Sequence, residues 1–438
     1  MLDRLHHRAL TTATAAVVEP ILGARYLSRA SEIEKWWLQT DAYQEAWRAG
    51  ALDDMLRYCI ERVPAYRDRK PTLVDFPIVD KQDIIEATDR YLSDEHASIP
   101  VVEKHTGGST GDPWNYPLDR RAWAESYAAQ IHEFARHGIA YGDRRLLLGF
   151  PASLGLQGMG PSKRLRLMAE RTDPSLSGFE VDPEASLRRA EQAAIKDARL
   201  WYGYASTIAA MASAVLDAGR RLPGPDLIVT MAEPLMPAWH DDIVAAFGSP
   251  VIEEYGCNDG GIMAHRCGAG NLHLADHQSL VEVVDDEGRP CPAGVDGAIV
   301  ITNFHARHMP FIRYRVGDIG AFGPYPCPCG RPGRTVARVS GRSGDFVLLR
   351  DGTELTPATF FNPFNEARGV RRWQIVQPDP RHLLVRIEAR DGWSHEDRSM
   401  ILNWTREQTR HQLEVELRET EPFALTRGGK HRIIIREF

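Results

Sequence analysis

The stretch LWYGYASTIAAMASAVLDAGRRLPGPDLIVTMAEPLMPAWHDDIVAAFGSPVIEEY spans residues 200–255. Its apolar runs Leu200–Tyr202, Leu227–Met231 and Val251–Tyr255 are short enough for strands. Between them, Ser206–Leu216 and Ala238–Phe247 have helical length and period. Strands separated by such helices need crossover connections, so this region predicts α/β architecture with a mostly parallel sheet. Toward the N-terminus, Ser186–Asp197 reads as a helix, Leu146–Phe150 as a strand and 121–137 as a helix. Residues 28–63 carry apolar side chains at three- and four-residue steps until Pro64. Toward the C-terminus the texture changes near 272. Leu272–Val284 and Gly297–Phe304 are strand-like, with Asp286-Glu287-Gly288 as a turn. Phe346–Leu349 and Glu354–Leu355 predict a hairpin around Asp351-Gly352. Strands at Trp373–Gln377 and Leu383–Ala389, a helix near 394–412 and strands at Leu413–Arg418 and Arg432–Arg436 complete the tail. A boundary near Gly341–Asp345 therefore divides a large unit, 1–341, from a small α+β unit, 342–438.

The 438 residues suffice for two or three domains with a large core. With 53 basic and 60 acidic side chains the formal charge is −7, which argues against a nucleic-acid partner bound through bulk positive charge. Six cysteines do not make a disulfide framework. The run Ala9–Leu22 contains Glu19 and Pro20 and is a poor signal-peptide core. No uninterrupted apolar run reaches the roughly 18 residues that would suggest a membrane span. The expectation is a cytoplasmic protein without a membrane partner; a homodimer is left open.

Thr106-Gly107-Gly108-Ser109-Thr110-Gly111-Asp112-Pro113 is the sharpest local signal. Three glycines allow backbone N–H groups to converge, and three hydroxyls add donors, which suits a phosphate. The Lys-Ser/Thr ending of a Walker loop is missing, and the run is not a dinucleotide fingerprint. Further on come Tyr255-Gly256-Cys257-Asn258-Asp259, Arg313-Tyr314-Arg315-Val316-Gly317-Asp318, Gly341-Arg342-Ser343-Gly344-Asp345 and Arg427-Gly428-Gly429-Lys430.

In order and spacing these five segments resemble the core motifs of the adenylate-forming superfamily, which includes acyl- and aryl-coenzyme A ligases. Met309-Pro310-Phe311-Ile312-Arg313-Tyr314-Arg315, the Cys-Pro-Cys-Gly-Arg run at 327–331 and the short tail resemble its phenylacetate–coenzyme A ligase and capsule-biosynthesis-like branch. The resemblance implies a large N-terminal adenylation domain with mixed sheets and flanking helices, and a small mobile C-terminal domain. It implies ATP-dependent activation of a carboxylic acid as an acyl-adenylate, release of pyrophosphate, and transfer to coenzyme A. Thr106, Gly107, Gly108, Ser109, Thr110 and Gly111 match the loop that holds the β- and γ-phosphates. Tyr255 and Gly256 match the adenine-packing segment, and Ala232, Glu233 and Pro234 the other side of that pocket. Asp318 matches the carboxylate that accepts the ribose hydroxyls, and Arg342 an arginine near ribose and phosphates. Lys430 matches the lysine delivered by the small domain, a cation that would stabilise charge developing at the α-phosphate. Asp259 stands where the family has the acid that ligates Mg²⁺.

The chain departs from the family at three places. Asp259 is one methylene shorter than the usual glutamate, Asp112 stands where relatives often carry lysine, and Gly344 falls at the usual hinge aspartate. These departures keep open transfer to an amine, another nucleophile or a carrier-protein thiol. A noncatalytic, zinc-stabilised nucleotide-binding protein is the alternative of another class. Residues 150–160 and Tyr202-Gly203-Tyr204-Ala205 match the family's acyl pocket, and their apolar, partly aromatic character suits a small aromatic or hydrophobic acid.

His265, Cys267 and His273 precede Cys327 and Cys329. Thiolates clustered with imidazole suit tetrahedral Zn²⁺. The resemblance selects Cys267, His273, Cys327 and Cys329 as ligands, with His265 as a spare; no open position would remain, so the site would be structural.

Overall fold

The three strands expected within 200–255 lie at the middle of one broad sheet. A computed structural model describes residues 19, 25–105, 114–149, 161–177, 182–257, 261, 263–342, 344–367, 369–419, 423 and 431–438. Among these, the sheet has 11 strands. One half is parallel: Thr172–Asp173, Arg145–Leu148, Leu200–Tyr204, Leu227–Met231 and Val251–Gly256, in that spatial order. From Val251–Gly256 onward every pairing is antiparallel, through Met263–Arg266, Leu272–Leu274, Thr335–Arg342, Tyr314–Phe322, Gly297–Asn303 and Ser279–Val284. The sheet is thus mixed, as the family resemblance implies.

Burial explains the parallel half. Leu227, Ile228 and Val229 are all fully buried, because helices cover both faces. On one face lie the helices Pro183–Ala194, Ala205–Asp217 and Pro237–Phe247. The middle one is apolar nearly all round and is enclosed by its neighbours. On the other face Phe134, from the helix Arg120–Arg136, packs on Leu200, Leu227 and Val229.

Several expected elements shift. The helical run at 28–63 is two helices, Tyr26–Trp37 and Asp41–Arg62, because Thr40 accepts a hydrogen bond from the Tyr43 N–H and starts a new one. The second ends at Arg62, since the residue before Pro64 is extended. The strand-like run at 272–284 is two strands in different parts of the sheet, separated by a turn in which the Gln278 N–H donates to the Ala275 carbonyl. A hairpin of Val101–His105 and Asn115–Asp119 was not anticipated. Its last pair, His105 and Asn115, flanks the glycine-rich segment 106–113, which lies outside the described residues, as does 150–160.

Among the described residues the tail forms a four-stranded sheet in the order Glu414–Glu419, His382–Ala389, Val370–Asp379, Ile434–Arg436. Only its two middle strands pair antiparallel. The helix His395–Gln408 joins it, started by a reciprocal capping box between Ser394 and Asp397. The small hairpin of Val347–Leu348 and Glu354–Leu355 turns at Gly352 as expected. Trp373 and Ile434 belong to the same apolar cluster as Trp239 and Trp201, so packing is continuous from the large sheet to the tail. No helix among the described residues is long and apolar enough to cross a membrane.

Gly203 pairs with Leu148 on the neighbouring parallel strand. A Cβ there would lie 2.1 Å from the Leu148 carbonyl oxygen. Gly203→Ala should therefore lower stability by about 1–3 kcal/mol, the usual cost of overpacking. A lowered denaturation midpoint at unchanged slope checks this.

Candidate active site

The strand Val251–Gly256 carries the site because neighbouring residues face opposite sides of the sheet. Tyr255 points to one side. Its hydroxyl donates to Asp318 Oδ2 at 2.7 Å. Arg342 Nη1 donates to Asp318 Oδ1 at 3.1 Å. Asp318 and Arg342 are direct partners on adjacent antiparallel strands, which fixes this contact by register. Gly317, with φ of +81°, leaves room for the guanidinium; a Cβ there would lie 3.4 Å from Arg342 Nη2. Burial, then the Asp318 charge, pushes the Tyr255 phenol far up, so it stays a neutral donor.

Ala232 follows the strand Leu227–Met231 with φ of +68°, an uncommon conformation for a residue with a Cβ. The turn brings Glu233 back into the protein, where it is 7% exposed. Its Oε2 accepts the Ser206 backbone N–H at 2.9 Å, in the first turn of the helix Ala205–Asp217. A carboxylate there also meets the positive end of the helix dipole. Its Oε1 accepts the backbone N–H of His431. The Glu233 side chain is thus committed to structure. Lys430, Asp259 and the segment Thr106–Gly111 lie outside the described residues. The residue after Lys430 is nonetheless tied to Glu233.

On the other side of the same strand, Glu254 is buried in a polar network that the sequence did not reveal. It accepts hydrogen bonds from the Tyr202 hydroxyl at 2.6 Å and from Gln130 Nε2 at 3.0 Å, and its Oε2 lies 3.0 Å from His265 Nε2. Tyr202, expected near an acyl pocket, thus turns its hydroxyl to Glu254. His265 stands opposite His273 in register, yet its ring is held by Glu254 and not by the cysteines.

Cys267, His273, Cys327 and Cys329 come together, with ligand atoms all within 4.8 Å of one another. Cys267 Sγ lies 3.8 Å from Cys327 Sγ, and His273 Nε2 lies 3.2 Å from Cys329 Sγ. Four ligands at about 2.3 Å from a tetrahedral ion would stand roughly 3.8 Å apart, so the donor set fits zinc. His273 Nδ1 donates to the Pro332 carbonyl, which orients the ring. Burial, followed by the Arg331 charge, lowers the His273 pKa to about 4, leaving a neutral imidazole. Arg331 in turn forms a two-pronged pair with Glu133, at 2.8 and 2.6 Å, and fastens the cysteine turn to the helix Arg120–Arg136.

This architecture is the fold of the adenylate-forming ligases. A solved 2-hydroxyisobutyryl-coenzyme A ligase, in its postadenylation state with a bound adenylate, superposes with a TM-score of 0.71 at 20% identity, over 91% of this chain and 90% of that one. An anthranilate coenzyme A ligase with anthranoyl-AMP gives 0.56 at 16% identity, over 76% and 65%. The sequence relatives include Protein CapK of Staphylococcus aureus, 23% identical over 317 residues, 70% of this chain and 68% of CapK. A phenylacetate-coenzyme A ligase of Thermus thermophilus is 35% identical over 79 residues, and one of Aromatoleum evansii 32% over 132 residues. Those stretches cover 18% and 29% of the two ligases. No protein-family model matches the chain.

Burial works against the Glu254 charge, but the His265 ring, the Tyr202 hydroxyl and the Gln130 amide outweigh it and hold the carboxyl below the ordinary glutamate range. A depressed folded-state pKa adds stability above the unfolded value, lost as pH falls through the lowered one. Glu254→Leu should cost about 1–3 kcal/mol for each polar partner left unsatisfied. Glu254→Gln should cost less, and its deficit should shrink as pH falls through that lowered value. Denaturant unfolding of wild type and both variants across that range checks both statements.

Proposed function

We propose that the chain is an AMP-forming acid–thiol ligase. It joins a small carboxylic acid to the α-phosphate of ATP, releases pyrophosphate, and passes the acyl group to coenzyme A. The observation that carries this reading is the Tyr255–Asp318–Arg342 constellation beside the Ala232-Glu233-Pro234 turn, to which the residue following Lys430 is bonded. The relatives lend support: two are phenylacetate-coenzyme A ligases, and the solved 2-hydroxyisobutyryl-coenzyme A ligase carries an adenylate.

In this reading the ring of Tyr255 and the backbone of Gly256 and 232–234 enclose the adenine. Asp318 accepts the two ribose hydroxyls, a role that suits an ionised carboxylate. Thr106 to Gly111 donate to the β- and γ-phosphates, and Arg342 lies at the ribose end of the triphosphate. The acid's carboxylate attacks the α-phosphorus, the bond to the bridging oxygen breaks, and pyrophosphate leaves. Lys430 stabilises the charge that grows on the phosphoryl oxygens. Asp259 offers carboxylate oxygens for Mg²⁺, a hard cation that would neutralise phosphate charge. The thiol of coenzyme A then displaces AMP from the adenylate carbonyl, giving the thioester. Residues 1–341 form the adenylation domain and 342–438 the small mobile domain. A hydrophobic or aromatic acid suits the residues around the pocket.

Cys267, His273, Cys327 and Cys329 hold a structural zinc ion that closes the sheet at its antiparallel turn. All six cysteines are free, which accords with work in the reducing cytoplasm.

The test is pyrophosphate release with ATP and Mg²⁺ across aromatic, fatty and small hydroxy acids, each with and without coenzyme A. Release should depend on one acid, and coenzyme A should raise AMP release. Silence across the panel would overturn the reading. Lys430→Ala should slow pyrophosphate release roughly 10²–10³-fold, the usual loss for one transition-state charge donor; an unchanged rate would remove the lysine from the chemistry. Freshly purified protein should carry one zinc by elemental analysis, and Cys327→Ser should lose it and melt at lower temperature.

A further inference from the structure

The C-terminal four-stranded unit docks on the helices Ala205–Asp217 and Pro237–Phe247 through a small set of directed contacts. Arg390 Nη1 donates to both oxygens of Asp242, at 2.6 and 2.7 Å. Arg371 Nη2 donates to both oxygens of Asp217, at 2.9 and 2.8 Å. Trp239 Nε1 donates to the Arg371 carbonyl at 2.7 Å, and the His431 N–H to Glu233. Between these points Ala209, Ala210, Ser213 and Ala214 line a groove beside Arg371 and Arg372. Such short side chains contribute little dispersion. Apolar packing runs across the same junction, and the charge-assisted hydrogen bonds, whose geometry is specific, add direction to it.

The two pairs are not equal. The Asp242 side chain is 12% exposed and the Asp217 side chain 56%. Water screens the second pair, so the Asp242–Arg390 pair is the stronger determinant. Arg371 also lies 3.4 Å from Glu388 within its own unit, so leaving Asp217 would not strand its charge.

The orientation these contacts hold has a counterpart. Against 2-hydroxyisobutyryl-coenzyme A ligase the TM-score is 0.71 and 0.69 in the postadenylation state. It is 0.59 in the open conformation and 0.57 in the thioesterification state, all at 20% identity and nearly equal coverage. Sequence likeness is constant in this series, while the conformational state and the bound ligands differ. The arrangement of this chain is thus nearer to the postadenylation structures than to the other two.

We propose that the Asp242–Arg390 pair, seconded by Asp217–Arg371, is a latch that holds the C-terminal unit in the adenylate-forming orientation and sets the balance between the two half-reactions. The half-reaction part rests on the ligase reading above. These are positioning residues, and none touches a reacting atom. Contacts made in one orientation and not in another shift the population between them by their own free energy.

The test uses the full chain as wild type, Asp242→Asn, Arg390→Met and the reversed pair Asp242→Arg with Arg390→Asp. Each single variant should slow pyrophosphate release roughly tenfold, equivalent to about 1.4 kcal/mol. Thioester formation from adenylate loaded beforehand should not slow, and the reversed pair should recover most of the loss. Independently of activity, hydrogen exchange at the His431 amide should accelerate in the single variants and slow again in the reversed pair. Equal slowing of both half-reactions with unchanged exchange would overturn the latch, as would unchanged rates and exchange. If wild type releases no pyrophosphate with any acid, the ligase reading falls and the amide exchange alone decides the latch.

Discussion

The strand Val251–Gly256 is the constraint on which the molecule turns. It is the last parallel strand and the first to pair antiparallel, so it must satisfy two kinds of neighbour at once. Its period of two sends Tyr255 toward Asp318 and Glu254 toward His265. A slip of one residue would exchange those faces, placing a carboxylate where the ring belongs and a phenol in the polar network. The buried bonds to Glu254 make such a slip costly, because every partner on that side would lose its acceptor.

The turn at Ala232-Glu233-Pro234 does for the helical layer what this strand does for the sheet. One carboxylate, Glu233, meets the first turn of the helix Ala205–Asp217 with one oxygen and the chain end at His431 with the other. A residue that resembles part of a ligand pocket is thereby also a structural joint. Its uncommon backbone at Ala232 is held by that joint, as expected where surrounding contacts over-determine a conformation.

Much of this was legible in the sequence, and the illegible part has physical causes. Leu227–Met231 reads as a strand at its observed limits because a run of buried β-branched residues between loops has few other solutions. The cysteine cluster was legible from residue chemistry, and the register of His273 with Thr335 brings its halves together. The strand Tyr314–Phe322 was hidden because Gly317 and Gly320 lower its strand propensity, while both are needed where other groups approach. His265 read as a spare to the metal ligands; the buried Glu254, brought close by strand pairing, explains its actual partner. Likewise Asp217 and Asp242 look like ordinary helix-surface acids, since their partners lie 154 and 148 residues away.

The outer strands have a bearing on behaviour in concentrated solution. Among the described residues the large sheet has 11 strands, and an edge with unpaired backbone groups invites another chain to add to it. Here the parallel half ends on Thr172–Asp173, a stub of two residues whose aspartate is engaged by Lys196 at 2.9 Å. The small sheet ends on Glu414–Glu419, where three glutamates and an arginine occupy a six-residue strand. One margin is too short to template a neighbour and the other too charged to welcome a copy of itself. Both discourage edge-to-edge aggregation without adding anything to the site.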